Sequence, residues 1–359
     1  MAGAKYLLVG STEAYSGKSA TVLGLAHQLL KKGLDIAYGK PLGTFWSATD
    51  RIDEDVRFIA ETLNLPADRL CPTLAALDAD SIARRISGED AIDYAARLCQ
   101  SVQTSVGDLV LLEAAGTLEE GRLFNLSLAQ AATAIDAAVV LVARCHSLQV
   151  ADSLLWAKQC LGDRLLGVLL NDIPLDQQES VATQLQPFLE QQGIPVLARL
   201  PRNSLLRSVS VGELVNQLQA EVLCRPDRLD LMVESLTIGA MNVNSALKYF
   251  RKAHNMAVVT GGDRTDLQLA ALETSTQCLI LTGHIPPMAT ILSRAEDLEI
   301  PILSVDLDTL TTVEIVDRAF GQVRLHEPIK VQCVYQMMEK HLDVDLLLRQ
   351  LGFEPAVRA

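Results

Sequence analysis

The chain has 359 residues, which is too many for one small core and predicts two domains. Its formal net charge of −13 argues against a nucleic-acid partner, because nucleic-acid phosphates are bound by clustered Lys and Arg. No apolar run approaches the roughly 20 residues that span a bilayer, the seven cysteines form no CxxC pair, and the six histidines form no HxH or HExxH cluster. We therefore expect a reduced, cytoplasmic protein with no signal peptide, no membrane contact and no zinc site.

Residues 1–223 alternate short β runs with helical runs, the pattern of a parallel sheet with helices on both faces. The predicted strands are Lys5–Val9, Asp35–Tyr38, Leu109–Leu112, Ala138–Ala143, Leu166–Leu170 and Val196–Leu200. The helix predicted after the first strand ends at Gly33, and further helices are predicted at Glu54–Leu63, Glu89–Val106, Leu148–Leu161 and Gln177–Gln192.

Residues 224–230 are polar and contain a proline, which predicts a linker between domains. Residues 231–359 then predict a smaller α/β domain that closes with one or two helices. Its predicted strands are Met256–Thr260, Gln277–Leu281 and Pro301–Val305, and its predicted helices are Asn244–Lys252, Asp266–Glu273, Pro287–Glu296, Thr312–Phe320 and the closing stretch Ile329–Leu351.

The first strand runs into the sequence GSTEAYSGKS at 10–19, followed by an amphipathic helix. A strand, a turn, Gly-Lys-Ser and a helix form a P-loop, in which backbone N–H groups and a lysine bind nucleotide phosphates. The alternative is an ordinary helix start with a solvated lysine, since Thr12 stands where the P-loop pattern has its first glycine. On the first interpretation ATP or ADP contacts Thr12, Glu13, Ser16, Gly17 and Lys18, and the hydroxyl of Ser19 binds Mg²⁺.

Two acids are candidate magnesium ligands, because Mg²⁺ takes one or two carboxylates besides nucleotide oxygens. Glu113 ends a predicted apolar strand, at the sheet edge where ligands bind in open parallel sheets, although it could instead cap the next turn. Asp55 begins a predicted helix, where acids are also common because of the helix dipole.

Two further polar residues end predicted strands on the same edge. Lys40, before Pro41, could reach a γ-phosphate or an anionic substrate, or could be a surface lysine. Asn171 could hydrogen-bond an adenine edge, or could simply be a turn residue.

Together these motifs resemble dethiobiotin synthetase, which has a loop ending in GKT, a Lys-Pro, an Asp at a helix start, a strand ending in Glu and a later Asn. The resemblance implies an ATP site with Ser19, Asp55 and Glu113 as the magnesium ligands. It also implies that Asn171 and Pro201 lie near the base and that Lys18 and Lys40 act in catalysis.

A second resemblance covers nearly the whole chain. The sequence TGGDRTD at 260–266 is similar to the signature of the DRTGG domain, which follows a dethiobiotin-synthetase-like domain in long-form phosphate acetyltransferases. Because the sequence stops at Ala359, we expect the catalytic acetyltransferase domain of those proteins, and its activity, to be absent. The resemblance implies a P-loop domain followed by a DRTGG-type domain in a regulatory role.

Three functions remain open from the sequence. The first is an ATP- or ADP-binding regulator, the second an ATP- and Mg²⁺-dependent ligase that acts on a small carboxylate or carbamate, and the third a structural assembly protein with a vestigial pocket. In the predicted second domain, Arg264 lies in the first turn of a helix, where a cation needs a partner. That partner could be an anionic ligand, an acid of another subunit, or the neighbouring Asp263 or Asp266. Because the resembling DRTGG domain occurs in oligomeric proteins, we expect a homodimer or higher homo-oligomer, assembled through residues beyond about 230, and a small-molecule ligand or partner protein.

Overall fold

The computed structural model describes residues 5–43, 52–321, 325 and 327–353. The chain divides into two compact units. The first unit contains Met1–Arg202 together with Leu325–Ala359, and the second contains Asn203–Arg324.

The first unit is built on a seven-stranded sheet in which every pair of neighbouring strands is parallel. Its strand order is β4-β2-β6-β1-β7-β8-β9, and β3 and β5 form a separate short parallel pair. The strands are β1 (Lys5–Ser11), β2 (Ile36–Gly39), β3 (Leu42–Gly43), β4 (Leu70–Cys71), β5 (Ala75–Ala76), β6 (Leu109–Glu113), β7 (Ala138–Arg144), β8 (Leu165–Ile173) and β9 (Val196–Pro201).

Helices flank this sheet, and its central strands are buried along their length, as apolar runs in parallel sheets should be. The helices are α1 (Lys18–Lys31), α2 (Glu54–Leu63), α3 (Ala79–Ser87), α4 (Tyr94–Thr104), α5 (Leu128–Ala134), α6 (Val150–Leu161), α7 (Gln178–Ser180) and α8 (Gln186–Gln191), the last two joined by the π-helical turn Val181–Leu185. The predicted P-loop-type parallel sheet is confirmed. Two of these helices were not predicted: α3, in which no residue is buried, and the short helix α5.

The second unit has a five-stranded sheet in the order β11-β16-β15-β14-β13, and β11 alone runs antiparallel to its neighbour. Its strands are β10 (Val209–Ser210), β11 (Glu221–Cys224), β12 (Met232–Val233), β13 (Ser235–Ile238), β14 (Met256–Gly261), β15 (Thr276–Thr282) and β16 (Ile302–Ser304). Its helices are α9 (Ser204–Arg207), α10 (Val211–Leu218), α11 (Val243–Phe250), α12 (Thr265–Leu272), α13 (Ala289–Asp297) and α14 (Thr309–Gly321). The predicted smaller α/β domain is confirmed.

The division between the units differs from the linker predicted at 224–230. Strand β11 pairs with β16, and buried residues of α10 such as Leu214 share an apolar core with strands of the second sheet. Residues 203–223 therefore belong to the second unit, because their partners lie there. Neither contact is visible in a local sequence pattern.

The closing helices, α15 (Pro328–His341) and α16 (Val344–Gln350), also differ from the prediction, which placed 231–359 together. They return to the first unit and pack on α1. The rings of His27 and Tyr335 stack with centroids 3.7 Å apart, and Gly24 lets α15 approach, since a Cβ there would lie 3.0 Å from Val334 Cγ1.

Within the part of the chain that the structure describes, no helix is both long and apolar enough to cross a membrane. All seven cysteines are free thiols.

Candidate functional site

The carboxyl ends of three adjacent strands bring the predicted phosphate and metal residues together. Strand β6 lies between β2 and β1, so Glu113 pairs with Val9 in register, just before the P-loop. On the other side Leu112 pairs with Gly39, which places Lys40 beside Glu113 at the same edge. Parallel strands explain why residues far apart in sequence meet here.

The P-loop turns into α1 at Gly17, which caps the helix with a φ of +88°. A side chain is strained at this angle, and a Cβ here would also collide with the Asn171 side-chain nitrogen. Asn171 lies within β8, and its Nδ2 donates to the Ser16 carbonyl oxygen at 2.8 Å. Asn171 thus fixes the P-loop, a role that the sequence analysis did not predict for it.

The hydroxyl of Ser16 is buried, and it has no hydrogen-bond partner among the residues that the structure describes. A buried polar group normally finds one, because leaving it unpaired costs about 1–3 kcal/mol. An oxygen of a phosphate seated in the loop would accept from this hydroxyl. The orphaned atom therefore fits an anion-binding loop better than an ordinary helix start.

Lys18 points into the site rather than into solvent. Its Nζ donates to the carbonyl oxygen of Ala115 at 2.7 Å and lies 3.9 Å from Glu113 Oε1. Burial lowers the pKa of this lysine, and the carboxylate of Glu113 opposes that shift. An additional anion beside Lys18 would stabilise its charged form.

Glu113 is 1% exposed and accepts two hydrogen bonds. Ser19 Oγ donates to its Oε1 at 2.9 Å, and the Tyr38 hydroxyl donates to its Oε2 at 3.1 Å. Burial raises the pKa of Glu113, while the charges of Lys40 and Lys18 lower it. The pKa of Tyr38 is raised well above its ordinary value, first by burial and then by Glu113, so Tyr38 is a hydrogen-bond donor.

Lys40 is 3% exposed and is held by two carboxylates. Its Nζ lies 2.6 Å from Asp55 Oδ2 and 3.1 Å from Asp53 Oδ1. Burial alone would lower its pKa, but Glu113, Asp55 and Asp53 outweigh burial and raise it. The alternative of a surface lysine is therefore excluded.

Asp53 was missed as a site residue. It is fully buried, and its side chain caps α2 by accepting from the Asp55 backbone N–H at 3.0 Å. An aspartate before a helix start signals such a cap, but its ion pair with Lys40 depends on how the chain folds back after β2. Tyr38 carried a weak signal, since alternation along β2 places it on the same side as Lys40.

The residues able to bind a divalent cation are Ser19, Glu113 and Asp55. In the ion pairs of the described residues, the carboxylates of Glu113, Asp53 and Asp55 face the ammonium groups of Lys18 and Lys40. Among the described residues no three His, Cys, Asp or Glu side chains cluster tightly enough to hold a metal alone. Such a site suits Mg²⁺, which usually keeps water and phosphate oxygens and takes only one or two carboxylates.

The remaining predicted contacts lie further along the same edge. Thr12 and Glu13 are in the first half of the P-loop, with Glu13 exposed. Pro201 ends β9 and pairs with Ile173 of β8, three strands from the P-loop strand. The side chain of Arg202, which the sequence analysis did not assign, donates to Asp172 Oδ1 at 2.9 Å beside Asn171.

Two family models match this sequence. Residues 5–210, more than half of the chain, match the family described as an AAA domain. The chain belongs to this AAA-domain family. Residues 213–319 match the DRTGG domain, so the AAA domain and the DRTGG domain correspond closely to the two units of the structure.

Several curated relatives of this chain are phosphate acetyltransferases. One from Nitratidesulfovibrio vulgaris is 25% identical over 94% of this chain and 50% of its own length. Another, from Synechocystis, is 26% identical over 96% of this chain and 51% of its own length. The chain spans about half the length of these relatives. Among solved structures, the septum site-determining protein MinD with Mg-ADP from Pyrococcus horikoshii is 15% identical over 57% of this chain and 84% of its own, with a TM-score of 0.37.

Proposed function

We propose that this chain is a nucleotide-dependent regulatory protein, which binds ADP or ATP with Mg²⁺ in the first unit and acts on a partner or ligand through the DRTGG unit. The observation that carries the proposal is the buried Glu113. It accepts from Ser19 and lies 3.9 Å from Lys18, in a P-loop with an orphaned Ser16 hydroxyl. A buried acid at this point, next to a lysine and a serine of the P-loop, is what a metal-nucleotide site requires.

Each part of the nucleotide would meet a different element. The backbone N–H groups of the loop, the N-terminus of α1 and Lys18 would bind the β-phosphate and γ-phosphate. Ser19 and Glu113 would hold the metal, with Asp55 as a further ligand once it leaves Lys40. The nucleoside would extend from the P-loop over β7 and β8 toward Asn171 and Pro201. These strands follow β1 in that order on one side of the sheet.

The ion pairs of Lys40 with Asp53 and Asp55 favour a regulator over a ligase. A ligase of the dethiobiotin synthetase type needs positive charge to stabilise the phosphoryl group in transfer. Lys40 is already paired with Asp53 and Asp55, so it adds no net positive charge for a second anion. The ligase stays a second candidate, because the same contacts place Lys40 inside the site. If Asp55 left Lys40 to bind a metal, part of the positive charge of Lys40 would become available to a second anion.

The regulatory part of the proposal is supported by the domain match and the relatives. A DRTGG domain follows the AAA domain here, and the phosphate acetyltransferases that align with both are about twice as long as the chain. We propose that the protein acts in the cytoplasm, as its free thiols favour, and that its effector or partner binds the second unit.

Binding and turnover measured on the same sample test the proposal. We expect saturable binding of Mg-ATP and Mg-ADP with no release of phosphate from ATP, with or without added small carboxylic acids and amines. Phosphate release that depends on one of those compounds would identify a ligase instead. A chain that binds neither nucleotide would contradict the proposal outright.

A further inference from the structure

A fourth acid, Glu120, lies in the turn that follows β6, and its charge acts on Lys18. Its side-chain Oε2 accepts from the backbone N–H of Gly116, and a Cβ on residue 116 would lie 2.6 Å from that oxygen. The carboxylate therefore packs directly against the glycine backbone. Burial lowers the pKa of Lys18, and the negative charge of Glu120, like that of Glu113, opposes this shift.

The same turn is tied to the P-loop at two more points. Lys18 Nζ donates to the Ala115 carbonyl oxygen at 2.7 Å, and Ser11 Oγ donates to the Gly116 carbonyl oxygen at 2.7 Å. These two hydrogen bonds hold the turn against the P-loop, with Lys18 in direct contact with it. Glu120, which binds the N–H of Gly116 in this turn, lies close enough to Lys18 for its charge to act on that lysine.

The proposed position of the nucleoside, combined with the strand order, determines which phosphate lies nearest to this carboxylate. Neighbouring strands are about 4.8 Å apart, and β6 lies on one side of β1 whereas β7 and β8 lie on the other. With the nucleoside over β8, beside Asn171, the phosphate chain crosses the P-loop toward β6. Its last phosphate would then approach Lys18 and the turn at Ala115 and Gly116, and the Gly116 N–H is the group that Glu120 binds.

We propose that Glu120 is a specificity-determining residue that occupies the position of the terminal phosphate of a nucleoside triphosphate, so that the chain favours a diphosphate. This inference rests on the proposed nucleotide binding and adds which nucleotide state is preferred. A diphosphate leaves Glu120 in place on the Gly116 N–H. A triphosphate must expel it, at the cost of a hydrogen bond to a charged group and of repulsion between two anions near Lys18.

Calorimetric titrations in Mg²⁺ with ADP and with the β,γ-imido analogue of ATP test this inference. We expect Glu120→Ala and Glu120→Gln to tighten binding of the triphosphate analogue by roughly tenfold and to leave ADP binding unchanged. Glu120→Gln keeps the shape and removes only the charge. Glu119→Gln, which removes the same charge from an exposed neighbour, should change neither affinity.

The outcomes separate the inference from the function on which it rests. If the wild-type chain binds ADP but the ratio of the two affinities is the same in both Glu120 variants, this inference is overturned and the proposed function stands. A lower melting temperature without a change of that ratio also overturns it, because Glu120 would then only stabilise its own turn. A wild-type chain that binds no ADP overturns the proposed function and this inference together.

Discussion

At the scale of single residues, the site depends on charges buried together. Lys40 and Asp53 are both almost completely buried, and Lys40 Nζ lies 3.1 Å from Asp53 Oδ1. Each charge offsets the cost of burying the other. Removing one partner of such a pair leaves an uncompensated charge, which costs far more than the pair contributes. Their roles can therefore be tested by stability as well as by binding.

Lys40→Met should lower the free energy of unfolding by about 3–5 kcal/mol, because it strands the Asp53 carboxylate. Adding Asp53→Asn should restore much of that loss, since Asn still caps α2 and carries no charge. Denaturant unfolding of the two single variants and the double variant measures the coupling. Lys32→Met, which removes a lysine from an exposed ion pair with Asp345, is the control and should cost less than about 1 kcal/mol. Equal losses in Lys40→Met and Lys32→Met would contradict the buried pair.

The raised pKa of Glu113 predicts how stability depends on pH. Burial raises it above the ordinary value of 4.5, so the folded chain holds this proton more tightly than the unfolded chain does. The resulting stabilisation is complete below that value and is lost as the pH rises through the folded pKa. Without Mg²⁺, we expect Glu113→Gln to be increasingly more stable than wild type as the pH rises above 4.5.

Magnesium should reverse that difference. With nucleotide present, Mg²⁺ should stabilise the wild-type chain and have little effect on Glu113→Gln, because the amide replaces a charged ligand. Thermal melts at several pH values, with and without Mg²⁺, measure both effects. Identical magnesium responses in the two proteins would show that Glu113 only supports the turn that follows β6.

At the scale of elements, α1 connects the site to the closing helices. Its N-terminus carries Lys18 and Ser19, and its other face packs on α15 at Gly24 and His27. The P-loop helix is thereby held by residues that follow the second unit in sequence. Residues 327–353 therefore belong to the same unit as the P-loop.

Gly24→Leu should destabilise the first unit by about 1–3 kcal/mol, because the larger side chain collides with Val334 and Met338 of α15. Combining it with Met338→Ala should make the double variant more stable than the sum of the single changes predicts. Unfolding of both single variants and the double variant gives the coupling energy, which we expect to exceed about 0.5 kcal/mol. Additive effects would mean that the two helices do not meet at Gly24.

The elements also show what could and could not be predicted from the sequence. Strand periodicity predicted the parallel sheet, and parallel strands place their carboxyl ends together, which is why Lys18, Lys40 and Glu113 were identified as one site. The contacts of Asp53, Tyr38 and Glu120 were missed because they depend on the return path of a loop or on the register between strands. The domain boundary was misplaced for the same reason, since β11 is short and its partner β16 follows about 80 residues later.

At the scale of the whole molecule, we propose assembly through the second unit. Several large apolar side chains are exposed there, among them Leu310 (68%), Met288 and Tyr249. An exposed apolar side chain gains about 1.5–3 kcal/mol when it is fully buried, so an interface is a favourable place for these residues.

Light scattering at micromolar concentration should give at least twice the mass of one chain. Leu310→Asp should shift the distribution toward single chains. Leu175→Asp, at an even more exposed position in the first unit, should leave the mass unchanged. A wild-type protein with the mass of one chain would rule out the assembly and leave the second unit as a ligand-binding or partner-binding domain.

The proposed regulatory function depends on nucleotide binding by the first unit, and a substitution of Lys18 tests that binding most directly. Calorimetric titration of ADP in Mg²⁺ should show one saturable site in the wild-type chain and in Lys31→Ala, which removes an exposed lysine of the same helix. Lys18→Ala should weaken that binding by roughly 10-fold to 100-fold, the cost of one hydrogen bond to a charged group. Equal affinities of Lys18→Ala and the wild-type chain for ADP would contradict the account.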